Sequence, residues 1–364
     1  MKILQVINAL GAGGAEKLVV ELSQKLRLKG HQLDVLVVNE KDDKCRNYLS
    51  AYSINIYSLN ISNFYNPICI LKIIKYLKMY DIIHVHLFPM QYWVAFASFF
   101  SRKTCLVTTE HCTTNSRRDI SVLKSFDQIV YKQYKKIICV SEKTKESISS
   151  YLKNKSNQFI TINNGIDIDR INKAVMYTNS ELINVAVPVK VIMMVALFRK
   201  QKDQDTLIKA IAKLDSNIHL VLVGDGERRD ILKQLAIDSG AANRIHFLGL
   251  RNDVPSVIKC ADIVVLSSHW EGFGLAVVEG MAAGKPVIAS DVPGLAEVVE
   301  GAGLLFEEGN VDELKNSISK LLNDEDYYKE ISQKCIERAN LYTINDMVDS
   351  YEKVYYSVIK NRNY

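Results

Sequence analysis

No part of this sequence stays apolar long enough to cross a bilayer. Its longest uncharged apolar stretch, Leu87 to Ser101, falls short of the about 20 residues that a membrane-spanning helix needs. The chain opens directly on a strand-like run, Met1-Lys2-Ile3-Leu4-Gln5-Val6-Ile7, so no secretory leader is expected. The seven cysteines (45, 69, 105, 112, 139, 260 and 335) are odd in number, scattered and free of C-x-x-C spacing. That pattern speaks against a disulfide framework and for reduced, mostly buried thiols in a cytosolic protein. Low-complexity sequence is absent, and no nucleic-acid reader motif accompanies the positive charge.

The chain does have material for two cores. Hydrophobic residues make up 48% and charged ones 24% of 364, which suits a globular protein of two domains. The net charge of +5 conceals an asymmetry: residues 1–180 hold 25 Lys and Arg against 14 Asp and Glu, while residues 181–364 hold 21 against 27. A basic first half suggests an anionic partner, either a membrane surface or an acidic acceptor.

Strand-like runs at Lys2–Ile7, Asp34–Val38, Ile54–Leu59, Ile82–His86, Leu106–Glu110 and Lys136–Ser141 alternate with helical stretches. The alternation predicts an α/β architecture with a doubly wound parallel sheet. A second series starts at Val191–Ala196 and continues through His219–Val223 and Ile245–Gly249. Ligands of such sheets sit beyond the carboxyl ends of the strands. At those ends the first half carries a glycine loop, Asn8 to Glu16 with Gly11, Gly13 and Gly14, ahead of a helix expected over Lys17–Lys29. It also carries His84, His86 and His111, the last after Thr108-Thr109-Glu110. Arg117 and Arg118 follow, readable as acceptor-phosphate contacts or as a solvated loop. The basic aromatic stretches Leu71–Lys78 and Tyr131–Lys136 read either as helices with a solvated lysine face or as a surface resting on anionic lipid. The polar stretch Asn172–Asn184 reads as a linker.

The most specific chemistry lies at His269 to Glu279, His-Trp-Glu-Gly-Phe-Gly-Leu-Ala-Val-Val-Glu. A β-branched run precedes it and a small apolar run follows, so the pattern is strand, glycine-bracketed turn, helix. The first amides of that helix, near Gly274 and Leu275, lack internal partners, and with the helix dipole they favour phosphate oxygens. Carboxylates would repel phosphate, so Glu271 and Glu279 are expected to meet neutral hydroxyls of a sugar or ribose. The ligand implied carries both phosphate and hydroxyls.

Glu271 and Glu279 around Gly272-Phe273-Gly274-Leu275 resemble the E-x7-E motif of the retaining GT-B glycosyltransferases of family 4 type, the group 1 enzymes of bacterial polysaccharide synthesis. The resemblance covers essentially the whole chain and is densest from 191 to 306. It implies two Rossmann-like doubly wound domains facing a central cleft: an acceptor-binding domain over 1–170, a linker at 171–188, a nucleotide-sugar domain over 189–344, and a helix at 345–364 crossing back to the first. It assigns His111 to the donor sugar, Glu271 and the backbone of Gly272 to Leu275 to the sugar and phosphates, and Glu279 to the ribose. Lys202 falls where the family places a Lys clamping the diphosphate. The usual Arg position is Leu197 here, and Arg199 stands two residues along as its substitute. Gly13, Gly14, Gly224 and Arg251 complete the expected donor contacts, Arg251 beside the nucleobase. Asp167-Ile168-Asp169 has the form of a D-x-D metal site but belongs to the family's N-G-I-D segment, and the family works without metal or other cofactor.

The implied activity is retaining transfer of a sugar from a nucleotide-diphospho-sugar, UDP in preference to GDP, to a glycan or polyprenyl-linked acceptor in bacterial surface polysaccharide synthesis. The implied location is cytoplasmic, at the inner face of the plasma membrane. Two rival readings are a nucleotide-sugar 2-epimerase, which also uses two Rossmann domains, and a non-catalytic scaffold partner of a transferase, which the Leu197 departure keeps in play.

Overall fold

The computed structural model describes the chain apart from residues 12, 40–42, 102–103, 116–117, 119, 155, 186 and 361–364; of residues 43, 44, 121 and 122 it describes the backbone alone. Runs of Val, Ile and Leu with no polar alternation favour strands covered on both faces, and a parallel sheet with helices on either side provides that cover. Two such sheets form. The first comprises β1 (Lys2–Ile7), β2 (Gln32–Val37), β3 (Ile56–Ser58), β4 (Ile82–His86), β5 (Cys105–Glu110), β6 (Lys136–Cys139) and β7 (Phe159–Thr161), in the order β3-β2-β1-β4-β5-β6-β7. The second comprises β8 (Lys190–Val195), β9 (Ile218–Val223), β10 (Ile245–Gly249), β11 (Ile263–Leu266), β12 (Val287–Ser290) and β13 (Leu304–Phe306), in the order β10-β9-β8-β11-β12-β13. Every pairing is parallel.

Successive strand side chains leave opposite faces of the sheet. Leu4, Val6, Leu36 and Ile83 accordingly enter one core with Tyr131, Tyr134 and Ile148, while Ile3, Ile7, Val35 and Ile82 enter another with Leu18, Leu22 and Tyr351. Strand order reverses direction once in each sheet, between β1 and β4 and between β8 and β11. Loops diverge at those points and leave the crevice in which such sheets bind ligands.

The chain divides into two compact units, 1–164 with 344–364, and 165–343. The last helix, Ile344–Lys360, lies in the first unit, where Met347, Val348, Tyr351, Tyr355 and Val358 join its core. Residues 165–343 include the stretch read above as linker, which is instead folded onto the second unit. Helices Ile168–Lys173 and Asn179–Ile183 form there, the second closed by a capping box between Thr178 and Glu181. Tyr177 donates to Asp253 at 2.7 Å, and Lys259 donates to the carbonyls of Asn172 and Ala174 at 2.7 Å. The first helix begins at Gly14 rather than Lys17, because Gly13 caps it in an extended conformation and its carbonyl accepts from Lys17 at 2.9 Å. All seven cysteines are free thiols, five of them buried. Among the described residues no helix is long and apolar enough to cross a membrane.

Helix Leu275–Ala282, which carries Glu279, lies against β11 through Gly280. A Cβ placed there would stand 2.9 Å from the Cβ of Val264. Gly280→Leu is expected to destabilise the second unit by about 2 kcal/mol through overpacking, read as a lowered urea midpoint.

Candidate active site

In the second unit the loops that leave β8 and β11 meet at the switch point. After β8 the chain passes through Leu197, buried Phe198 and extended Arg199 into a 3-10 turn, Lys200–Lys202. Asp203 then adopts the left-handed conformation (φ 47°) and caps helix Gln204–Ala212, its carboxylate accepting from the Thr206 amide at 3.3 Å. This tight reversal brings the Lys202 ammonium onto the Glu271 carboxylate. Ser268 donates to the same Glu271 oxygen at 3.1 Å. The two loops are sewn together by backbone as well: the His269 amide donates to the Gln201 carbonyl, and the Gln201 side chain to the Trp270 carbonyl, each at 2.8 Å. Side chains of Lys202 and Glu271 retain 21% and 10% exposure, so neither charge could remain there alone at low cost.

Gly274 caps the following helix at φ 86°, ψ 60°, a conformation that strains any residue with a Cβ. Gly294, from the loop after β12, packs on the Glu271 and Gly272 carbonyls so closely that a Cβ would lie 2.6 Å from the first. Glycine at these two positions lets the chain turn into the helix, whose first amides have no partner within it. Phe273 is buried edge-on against Tyr342 at 5.1 Å, which anchors the turn from beneath. Glu279 follows one helical turn after Leu275 and is 7% exposed. Beside the pair, burial raises the Asp203 carboxyl above its ordinary value; His269 stands 3.9 Å from it and 2.6 Å from Glu308.

Arg199 is exposed at the entry of the same loop as Lys202. Gly224 closes β9, its amide donating to the Gly249 carbonyl at 2.9 Å. Arg251 is held by a two-pronged contact to Asp253, at 2.8 and 2.5 Å, with Tyr177 beneath its guanidinium. The hydrogen-bonded Arg251 in turn lowers the Asp253 carboxyl. Asp167 accepts from the Arg170 amide at 3.0 Å as a helix cap, and among the described residues no group of three His, Cys, Asp or Glu is placed to hold a metal.

In the first unit, Gly13 and Gly14 start the helix after β1, and His84, His86 and His111 cluster at the ends of β4 and β5. His111 Nε2 lies 3.0 Å from His86 Nδ1, and His86 Nε2 lies 2.8 Å from Gln5 Oε1. His84 bridges the Tyr355 hydroxyl (2.7 Å) and Thr109 (2.8 Å). Loss of solvent holds His84 and His86 well below the usual imidazole range and brings His111 down to about 4.

Arg118 neither contacts solvent freely nor awaits a phosphate. Its guanidinium donates to Glu110 at 2.9 Å, to the Thr113 carbonyl at 3.0 Å and to Ser147 at 3.2 Å, and both charged side chains are 8% exposed. Tyr131 and Gln91 donate to the other Glu110 oxygen, at 2.5 and 2.7 Å. This cluster pins the segment around His111. Tyr131 and Tyr134, read above as part of a surface patch, are core residues. Arg117 lies outside the described residues.

The chain belongs to the group 1 glycosyltransferases of GT-B fold. Residues 181–340 match the family described as Glycosyl transferases group 1, and residues 12–170 match Glycosyltransferase Family 4. The UDP-Gal:alpha-D-GlcNAc-diphosphoundecaprenol alpha-1,3-galactosyltransferase of Escherichia coli is 26% identical, the match spanning 94% of each chain. The N-acetyl-alpha-D-glucosaminyl L-malate synthase of Bacillus anthracis is 26% identical over 96% of this chain and 95% of its own. The fold is shared with the Anabaena protein HepE, solved in complex with UDP and glucose, at a TM-score of 0.85 and 23% identity over 98% of this chain and 100% of that one.

Arg118 supplies a positive charge to the buried Glu110 carboxylate, so removing it takes that countercharge away. Arg118→Met is expected to cost about 3–5 kcal/mol of stability by urea denaturation. The three histidines titrate near 6.5 when unfolded, so between pH 6.5 and about 4 the unfolded chain binds more protons. Their contribution to stability is whole above pH 6.5 and is lost as pH falls through that window. Urea midpoints at pH 7, 6 and 5 should decline less steeply in His111→Gln than in the wild type.

Proposed function

We propose that the protein moves a sugar from a UDP-sugar to a polyprenyl-diphosphate-linked glycan with retention of anomeric configuration and without a metal. The observation that carries this reading is the Lys202–Glu271 pair at the amide-bearing start of helix Leu275–Ala282. Lys202, with Arg199 on the same loop, would take up the charge that develops on a departing diphosphate, as a divalent cation does elsewhere. The backbone of Gly272 to Leu275 would hold the phosphates, Glu271 a sugar hydroxyl and Glu279 the ribose. In the step itself the bond from the anomeric carbon to the diphosphate breaks, and the acceptor oxygen bonds the same face. The acceptor's proton passes to the departing diphosphate. His111, neutral at physiological pH, would accept or donate a hydrogen bond to a sugar hydroxyl, and Gly13 and Gly14 would offer backbone to a phosphate.

Uridine as the base draws support from the galactosyltransferase relative and from the UDP in the Anabaena protein. The undecaprenol-linked acceptor of that relative supports a lipid-borne one here. Surface chemistry agrees. On helix Ile68–Leu77 and just beyond it, Leu71 and Met79 are exposed beside Lys75 and Lys78. Phe99 and Phe100 are exposed at the same end, where Thr104 donates to the Leu77 carbonyl at 2.9 Å. Apolar side chains ringed by lysines suit the boundary of an anionic membrane.

Calorimetric titration with UDP, GDP and their sugar conjugates tests the reading. UDP is expected to bind equally with and without EDTA, and Glu279→Ala to weaken it by about tenfold or more. Absence of binding to any nucleotide by the folded protein would overturn the transferase reading in favour of a scaffold. Conversion of UDP-GlcNAc without an acceptor would establish an epimerase.

A further inference from the structure

The histidines at the ends of β4 and β5 belong to a hydrogen-bonded chain that a proton count limits to two orders, the first set by the Gln5 amide as it stands. Gln5, His84 and His86 are completely buried, so each of their polar atoms depends on a protein partner. The Gln5 carbonyl oxygen, which can only accept, lies 2.8 Å from His86 Nε2. Nε2 of His86 therefore carries the hydrogen. A neutral imidazole has one N–H, so His86 Nδ1 is bare and must accept. Its neighbour at 3.0 Å is His111 Nε2, which must then donate, leaving His111 Nδ1 unprotonated. Toward the last helix, the Gln5 amide nitrogen points at the Tyr355 hydroxyl at 3.4 Å. That hydroxyl donates to His84 Nδ1 at 2.7 Å, and His84 Nε2 donates to Thr109 at 2.8 Å.

We infer that Gln5, His86 and Tyr355 are positioning residues that hold His111 in its Nε2–H tautomer, so that its Nδ1 presents a lone pair to a hydroxyl of the donor sugar. The inference rests on the reading that His111 faces that sugar. A reversed chain closes the same contacts if the Gln5 amide is turned over. It requires all three histidines to be Nδ1–H, whereas the order above makes all three Nε2–H, the intrinsically favoured form of a neutral imidazole. Three small preferences thus act in one direction. Tyr355 relays the order: its hydroxyl accepts from the Gln5 amide nitrogen while donating to His84, which couples the preference of His84 to those of His86 and His111. The consequence for the reaction is an acceptor, not a donor, at His111 Nδ1. An electron-rich nitrogen there favours the positive charge that develops on a sugar ring as its leaving group departs.

The test is two-bond proton–nitrogen correlation on the full chain labelled with 15N-histidine, at pH 7, with His111 assigned by its loss in His111→Gln. The expected spectrum places His111 Nδ1 in the unprotonated range and Nε2 in the protonated range. The opposite assignment overturns the inference while leaving the proposed function standing. Gln5→Met and Tyr355→Phe each remove one end of the ordering and are expected to give a mixture of tautomers. UDP-sugar turnover should then show kcat down by about tenfold, the worth of one mis-set hydrogen bond, with KM changed less than twofold. A purely structural role would leave the tautomer unmixed and refute the assignment. If Gln5→Met does not fold, the wild-type spectrum and Tyr355→Phe still decide. Unchanged turnover in His111→Gln would instead remove the reading on which the inference depends.

Discussion

A parallel strand is paired on both edges only if the chain crosses over between every two strands, and that obligation governs the rest of this protein. It places each connection that follows a strand at the carboxyl edge of a sheet, and it leaves one point per sheet where neighbouring crossovers depart in opposite senses. In the second unit that point lies between β8 and β11, and the loops leaving them are the ones that carry Lys202 and Glu271. In the first unit it lies between β1 and β4, whose ends carry the Gly13–Gly14 helix start and the His84–His86 pair. The fold thus concentrates polar residues where backbone amides and helix dipoles are already free.

Polar groups drawn to such an edge must still be satisfied, and the protein does so with local clusters of several partners each. Glu110 accepts from Arg118, Gln91 and Tyr131. Asp127, fully buried, accepts from the hydroxyls of Tyr92 and Tyr151 at 2.8 Å. Exchanging such groups for apolar residues of the same volume would often be neutral for stability, so their worth lies in fixing where the chain goes. The Arg118 cluster ties the segment after β5 to helix Glu142–Leu152 through Ser147, and His111 is thereby set against His86.

Much of this was legible in the sequence because it depends on local pattern. Uninterrupted β-branched runs separated by helical stretches announce parallel sheets, and the E-x7-E spacing with its glycines announces a helix start between two acids. The family resemblance singled out Lys202 as well, and the structure sets it on Glu271. What the pattern could not give was the partner of a charge. Arg118 reads as a loop cation because nothing near it in sequence marks it as buried; its partners Glu110 and Ser147 come from β5 and a later helix. Tyr131 and Tyr134 alternate with lysines like a surface patch, yet the rings of both, one in the last turn of its helix and one just past it, lie in the core. Residues 172–184 look like linker by composition, and the contacts that fold them onto the second unit come from Asp253 and Lys259, some 80 residues on. The histidine chain was half legible: His84 and His86 stand out at a strand end, but Gln5 and Tyr355 join them only through the neighbouring strand and the final helix.

The Lys202–Glu271 pair explains how a site can carry both a cation for a diphosphate and a carboxylate that would repel it. Each side chain is largely withdrawn from water, and each satisfies the other. A nucleotide-sugar bound as proposed would bring a replacement for both: phosphate oxygens for Lys202 and sugar hydroxyls for Glu271. On that proposal no charge would be stranded during the exchange, whereas a free phosphate would offer a partner to Lys202 alone and compete with Glu271 for it. So placed, the pair would favour a ligand with the two groups joined. With Leu197 where the resembled family carries an Arg, the proposed dependence on Lys202 would be sharper, because Arg199 would reach a phosphate only from an exposed, extended position.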